Sequence, residues 1–234
     1  MVVSKDGAIK AGLFIPCYID QLYPEVGMAT VRLLEKLGVE LDFPEEQTCC
    51  GQPMLNAGFA EEARPVARKF AALFDAHDYV VCPSGSCTSM VRNHYPELLE
   101  GHFDGRPLEG RVFELCEFIV DVLEVEAVDA RFPHPVEERY DKVRGLLASV
   151  RDIEIVEPSR PHECCGFGGM FAVAEGDVSA SMGRDKVGEH FAAGARYITG
   201  PDMSCLMHLD GIIRREKVPV SVKHIAEILA GEEA

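Results

Sequence analysis

The sequence predicts an α/β fold in two pseudo-repeat halves. Each half is a small, mostly parallel sheet flanked by helices, with cysteine loops at the C-terminal ends of the strands. Three observations predict it. Short apolar runs alternate with helix-period segments, the pattern of layered α/β proteins. A Cys-Cys-Gly triplet occurs twice, at Cys49-Cys50-Gly51 and Cys164-Cys165-Gly166. The cysteines fall where strands give way to loops, the edge at which open parallel sheets bind ligands.

In chain order, residues 11–16 (AGLFIP) read as a buried strand ending at Cys17. Met28, Val31, Leu34 and Leu37 recur at helical spacing and Gly38 stops them, giving a helix over 27–37. A strand over 39–43 and a loop over 44–56 follow, the loop carrying the first triplet. Next come a helix over 60–76, with Pro65 tolerable only near its first turn, a strand over 79–82, a tight loop over 83–87 and a helix over 88–99. Residues 101–110 are a polar, glycine-containing connector, so the halves are expected to divide into 1–110 and 111–234. A helix over 115–123 contains Cys116, which reads as a small buried core residue. Helices over 140–150, 179–193, 206–215 and 223–229 then alternate with strands over 153–156, 197–199 and 218–222. The second triplet lies in the loop 157–169, and Cys205 in the loop 200–205.

The second half reads as shortened. A counterpart of Cys17 falls near Phe132, and no cysteine lies between Cys116 and Cys164. Residues 131–136 run almost at once into a helix-like segment over 137–147, with no clear counterpart of the first strand.

At 234 residues the chain is one domain or two small ones, and 47% hydrophobic residues allow a packed core. The net charge of −16 disfavours nucleic acid and anionic membrane, which reward Lys and Arg. No apolar run approaches the roughly 20 residues of a membrane span. Residues 1–10 lack an apolar stretch with a cleavage site, so a cytoplasmic location is expected, where thiols stay reduced. In that compartment nine cysteines point to metal or redox chemistry before disulfides.

Thiolates favour soft metals and iron–sulfur clusters. Cys17, Cys49, Cys50 and Cys87 are the four thiolates that a [4Fe–4S] cluster usually takes. Cys164, Cys165 and Cys205 form an equivalent set lacking one member. Cys82 reads as a fifth ligand or a packed thiol. Gly51, Gly166, Gly168 and Gly169, with Ser84-Gly85-Ser86, are candidates to bring backbone N–H groups close to sulfur. Zinc is the rival metal: Cys205 and His208 are spaced C-x-x-H, and Cys82 and Cys87 fit a knuckle loosely. Adjacent cysteines diverge, however, and suit a multi-iron cluster better than one tetrahedral ion. His77, His94, His102, His190 and His224 show no ligand-like setting. Gly166 to Gly169 lack dinucleotide-loop spacing.

Several segments carry a family resemblance: Phe14-Ile15-Pro16-Cys17, Phe43-Pro44 through Pro53, Pro83 to Cys87, Glu114-Leu115 with Phe118 to Leu123, Cys164 to Gly169, and Asp202 with Cys205-Leu206. Over nearly its whole length the chain resembles the Cys-Cys-Gly domain family of iron–sulfur proteins, and most closely an iron–sulfur component of bacterial L-lactate oxidation. The resemblance implies an oxidoreductase subunit that passes electrons from a 2-hydroxy acid through Cys-ligated clusters. It implies a ferredoxin-like iron–sulfur partner and a third subunit. Related domains occur in iron–sulfur subunits of glycolate oxidase and anaerobic glycerol-3-phosphate dehydrogenase. Another occurs in a heterodisulfide reductase, where such cysteines hold non-cubane [4Fe–4S] clusters. A zinc-stabilised scaffold and a heterodisulfide-reductase-like thiol/disulfide subunit stand as alternatives. One family feature is missing, the His-x-Ser-Cys-type strand end that opens the second half.

Overall fold

A computed structural model describes residues 9–137 and 141–231. Residues 1–8 of the leader reading, and residue 140 where a helix was expected to start, lie outside the described residues. The chain forms two compact units, one ending at Leu123 and the other starting at Glu124.

The first unit runs β1 (Lys10–Leu13), α1 (Cys17–Leu22), α2 (Pro24–Lys36), β2 (Glu40–Asp42), α3 (Gln52–Asn56), α4 (Ala60–Leu73), β3 (Val80–Cys82), α5 (Gly85–Leu99), β4 (Val112–Glu114) and α6 (Leu115–Glu117). A π-helical turn over Phe118–Val122 continues α6. The sheet is parallel throughout, in the order β2-β1-β3-β4. The chain leaves β1 to one side for β2 and crosses to the other for β3, so the winding reverses between β1 and β3. Such a reversal opens a crevice beyond the carboxyl ends of the strands. Beneath it Phe14 packs edge-on against Phe70 of α4, with ring centroids 4.8 Å apart, and Phe70 packs edge-on against Tyr95 of α5 at 5.5 Å. Such pairs contribute about 0.5–1.5 kcal/mol each beyond area burial.

The second unit runs β5 (Pro135–Glu137), α7 (Asp141–Ala148), β6 (Glu154–Val156), α8 (Met170–Ala174), α9 (Gly176–Ala192), β7 (Tyr197–Gly200), α10 (Met203–Glu216), β8 (Ser221–His224) and α11 (Ile225–Ala230). Its parallel sheet has the order β6-β5-β7-β8, the first order repeated. The repeat extends to the helices. Buried Ser179, Gly183, Lys186, Val187 and His190 of α9 follow the same spacing as Ala63, Ala67, Phe70, Ala71 and Phe74 on and just beyond α4.

Three expectations change. The division lies past residue 110, because β4 pairs with β3 (Val80↔Val112) and draws residues 111–123 into the first unit. The first strand of the second half exists as β5, with Val136 paired to Tyr197, and Glu137 is its last residue, not part of a helix. The shortening falls after that strand. Ala11 pairs with Leu41, 30 positions on, whereas Val136 pairs with Ile155, 19 positions on. The crossover is eleven residues shorter, and among the described residues no helix corresponds to α1.

Candidate metal centre

In the first unit three loops deliver thiols to the crevice. Pro16 caps α1, so Cys17 is its first residue. The Gln47 side chain accepts from Ile15 N–H at 2.8 Å and donates to Leu13 O at 3.1 Å and Pro44 O at 3.0 Å. It thereby ties the Cys17 loop to the segment that leads to Cys49. Ser84 caps α5, its Oγ accepting from Cys87 N–H at 3.3 Å, and the same Oγ lies 2.7 Å from Tyr18 Oη. Tyr95 Oη donates to Cys50 O at 2.8 Å in the buried core. Tyr95→Phe should therefore strand a buried carbonyl and cost about 1–2 kcal/mol, read as a lowered denaturation midpoint.

The result is a row of sulfurs. Cys50 Sγ lies 3.3 Å from Cys87 Sγ, and Cys49 shares hydrogen bonds with the Cys17 and Cys50 thiols. Backbone amides complete the shell. Gly51 N–H reaches Cys49 Sγ at 3.3 Å, Gln52 N–H reaches Cys50, and Tyr18 N–H reaches Cys17. Gly51 permits this with φ of +83°, a left-handed conformation that side chains disfavour. The Cys17 and Cys50 thiols, donating to Cys49, hold its pKa far below the ordinary thiol value. Cys17 and Cys50 are pushed far up, first by those same bonds and then by burial. One thiolate is thus shared along a hydrogen-bonded chain.

The second unit repeats the device with three sulfurs. Gly166 N–H reaches Cys164 Sγ at 3.4 Å, and Phe167 N–H reaches Cys165. Asp202 caps α10 by accepting from Ser204 N–H at 3.0 Å, which makes Cys205 the third residue of α10, as Cys87 is of α5. The Cys205 thiol, donating to Cys165, lowers the Cys165 pKa to about 6 against the opposing effect of burial. Cys205 is pushed up by the same bond and by burial. Cys165 contributes stability above the ordinary thiol value that is lost as pH falls through about 6. Cys205 contributes stability below that value that is lost at higher pH. Metal-free protein should therefore show a second-unit stability maximum near the ordinary thiol pKa of about 8.5, checked by denaturant midpoints across pH.

The remaining candidates take other roles. Cys82 is a packed thiol with Sγ 3.7 Å from Ser84 O, and Cys116 is buried in α6. Ser84 acts through its hydroxyl, as the cap of the helix that begins with Gly85 and Ser86. Gly168 and Gly169, with φ of +53° and +59°, turn the chain into α8. His208 lies 3.2 Å from Ser179 O, and His224 caps α11. His190 departs from the sequence reading: its buried ring lines a cavity of about 100 Å³ with Glu137, Cys164, Cys165, Lys186 and Cys205. Sequence reasoning also missed Tyr18, Gln47, Tyr95 and the Gln52 and Phe167 amides, all of which act through contacts or backbone groups that no motif marks.

Among the described residues, no three His, Cys, Asp or Glu side chains are spaced to hold a single metal ion. No described helix is long and apolar enough to cross a membrane.

Two parallel sheets, each gathering thiols from a Cys-Cys-Gly loop and from the loop beyond the next strand, define a duplicated cysteine-rich protein. Residues 11–92 and 133–210 match the cysteine-rich domain named CCG, and the chain belongs to that family. Lactate utilization protein A of Geobacillus kaustophilus is 41% identical over 236 residues, covering 94% of this chain and 98% of its own. The protein of that name from an Exiguobacterium species is 42% identical over 237 residues, covering 94% and 96%. Lactate utilization protein A 1 of Bacillus anthracis is 38% identical over 240 residues, covering 95% and 98%. Among solved structures, an aspartate racemase homologue from Pyrococcus horikoshii covers 94% of this chain and 95% of its own at 11% identity, with a TM-score of 0.32.

Proposed function

We propose that the protein is a cytoplasmic iron–sulfur subunit of an L-lactate (2-hydroxy acid) oxidation system, an oxidoreductase component that transfers electrons within a complex. The observation that carries this reading is the gathering of Cys17, Cys49, Cys50 and Cys87 outside the carboxyl ends of β1, β2 and β3, with amides directed at their sulfurs. The donor set fits an iron–sulfur cluster: thiolates are its usual ligands, and N–H···S contacts stabilise its negative charge and tune its potential. Such a cluster supplies a one-electron centre. The chain's part is to hold it, surround it with amides and keep it at a loop edge that a partner can approach. The name shared by the relatives supports lactate as the electron source.

Partner docking is supported by apolar residues beside each triplet. Met54 and Phe59 follow the first, with Phe59 56% exposed, and Met170, Phe171 and Val173 follow the second, with Val173 76% exposed. A ferredoxin-like iron–sulfur subunit and a third subunit are the occupants this reading assigns. The zinc reading is weaker, because each set contains two adjacent cysteines, whose side chains diverge and suit the separate attachment points of a multi-iron cluster better than one tetrahedral ion.

Anaerobic reconstitution tests the reading. The protein should turn brown, bind iron and acid-labile sulfide in similar amounts, and give an EPR signal on reduction. A colourless product that takes up stoichiometric zinc and no iron would overturn it.

A further inference from the structure

The second unit lacks a counterpart of Cys17 among its described residues, yet its crevice is not simply one donor short. Glu137 ends β5 and pairs with Val156 and Ile198, in the register where Gly12 pairs with Asp42 and Val80 in the first sheet. His190 stands at the spacing of Phe74, and Lys186 at that of Phe70. The buried Gly12, Phe70 and Phe74 of one unit are thus Glu, Lys and His in the other. Burying polar groups costs free energy unless they find partners. Lys186 finds one, donating to Pro161 O at 3.2 Å.

His190 is 1% exposed, and its Nδ1 lies 3.0 Å from Glu137 Oε2, a close contact not aligned as a hydrogen bond. Its Nε2 is buried without a hydrogen-bond partner. The ring lines the same cavity as Cys164, Cys165 and Cys205. A carboxylate at one ring nitrogen and a free lone pair at the other is the usual setting of a metal-ligating histidine, in which the acid fixes tautomer and ring orientation.

We propose that His190 Nε2 is the fourth donor of the second cysteine set, in the place of the thiol that Cys17 supplies to the first. Glu137 is the positioning residue that orients the imidazole. The inference rests on the iron–sulfur reading. Replacing a thiolate by a neutral imidazole makes a cluster less negative and raises its reduction potential. The two halves would then differ in potential through this one exchange.

The test uses the full chain carrying Cys50→Ser, which disables the first site, labelled with ¹⁵N-histidine, reconstituted anaerobically and reduced. Pulsed EPR should show the coupling of a directly bound nitrogen. His190→Gln should lose that coupling, and His190→Cys should keep the cluster at a lower potential. If His190→Gln fails to fold, the coupling in the parent protein still decides. A loaded second site without nitrogen coupling, or a second site that takes no iron, overturns the proposal. Cys205→Ser, which leaves the first set intact, separates the two readings. If it binds iron while the Cys50→Ser chain does not, only the His190 assignment fails. If it too stays iron-free, the iron–sulfur reading fails with it.

Discussion

Gly166→Ala should destabilise the second unit by about 2–4 kcal/mol, about twice the cost of Gly51→Ala in the first. Both glycines follow a Cys-Cys pair in the left-handed region, with φ of +87° and +83°, so any L side chain is strained at either position. The surroundings separate them. A Cβ on Gly166 would lie 2.7 Å from Ser179 O and 2.7 Å from Met182 Cβ, and the first of these is backbone that cannot swing aside. A Cβ on Gly51 would meet nothing nearer than Ala63 O at 3.6 Å, an ordinary contact. Gly51→Ala should therefore carry only the conformational penalty, about 1–2 kcal/mol. Because the chain forms two units, separate transitions should be fitted, and the loss for Gly166→Ala should appear in one of them. Equal shifts for the two variants would show that the loop relaxes away from α9.

Cys50→Ser should reduce first-site iron by about tenfold or more while leaving the second site loaded. Cys50 is 2% exposed and stands between Cys49 and Cys87 in the sulfur row. Serine nearly preserves the shape, so the fold should survive. Its hydroxyl does not ionise near neutral pH and is a hard donor, so it does not replace a thiolate. Cys116→Ser is the matched control: it is equally buried, but in α6, and should leave iron and sulfide per chain unchanged. Iron retained in Cys50→Ser would remove Cys50 from the ligand set.

Much of this was legible in the sequence. The alternation of strands and helices survives translation into structure because parallel strands, buried on both faces, leave plain apolar runs such as Val80–Cys82. The cysteine sets were legible because the spacing repeats. Other parts were hidden for physical reasons. β5 begins with proline and ends in glutamate, residues depleted in strands, and it forms only because its neighbours on both sides pair with it. α1, α3 and α8 are five or six residues long, too short to show a helical period. His190 reads as an ordinary surface or core residue because the carboxylate that faces it lies 53 positions away along the chain. The clamp made by Gln47 is equally non-local, reaching 32 residues back to Ile15.

The donors reaching Cys50 and Cys165 are the main-chain amides of Gln52 and Phe167. A main-chain donor is indifferent to the side chain attached to it, so two very unlike residues perform one task in the two halves. These positions are therefore free to diverge under selection for other ends, such as the shape offered to a docking protein. Proline is the exception: introduced at 52 or 167, it would delete the donor outright.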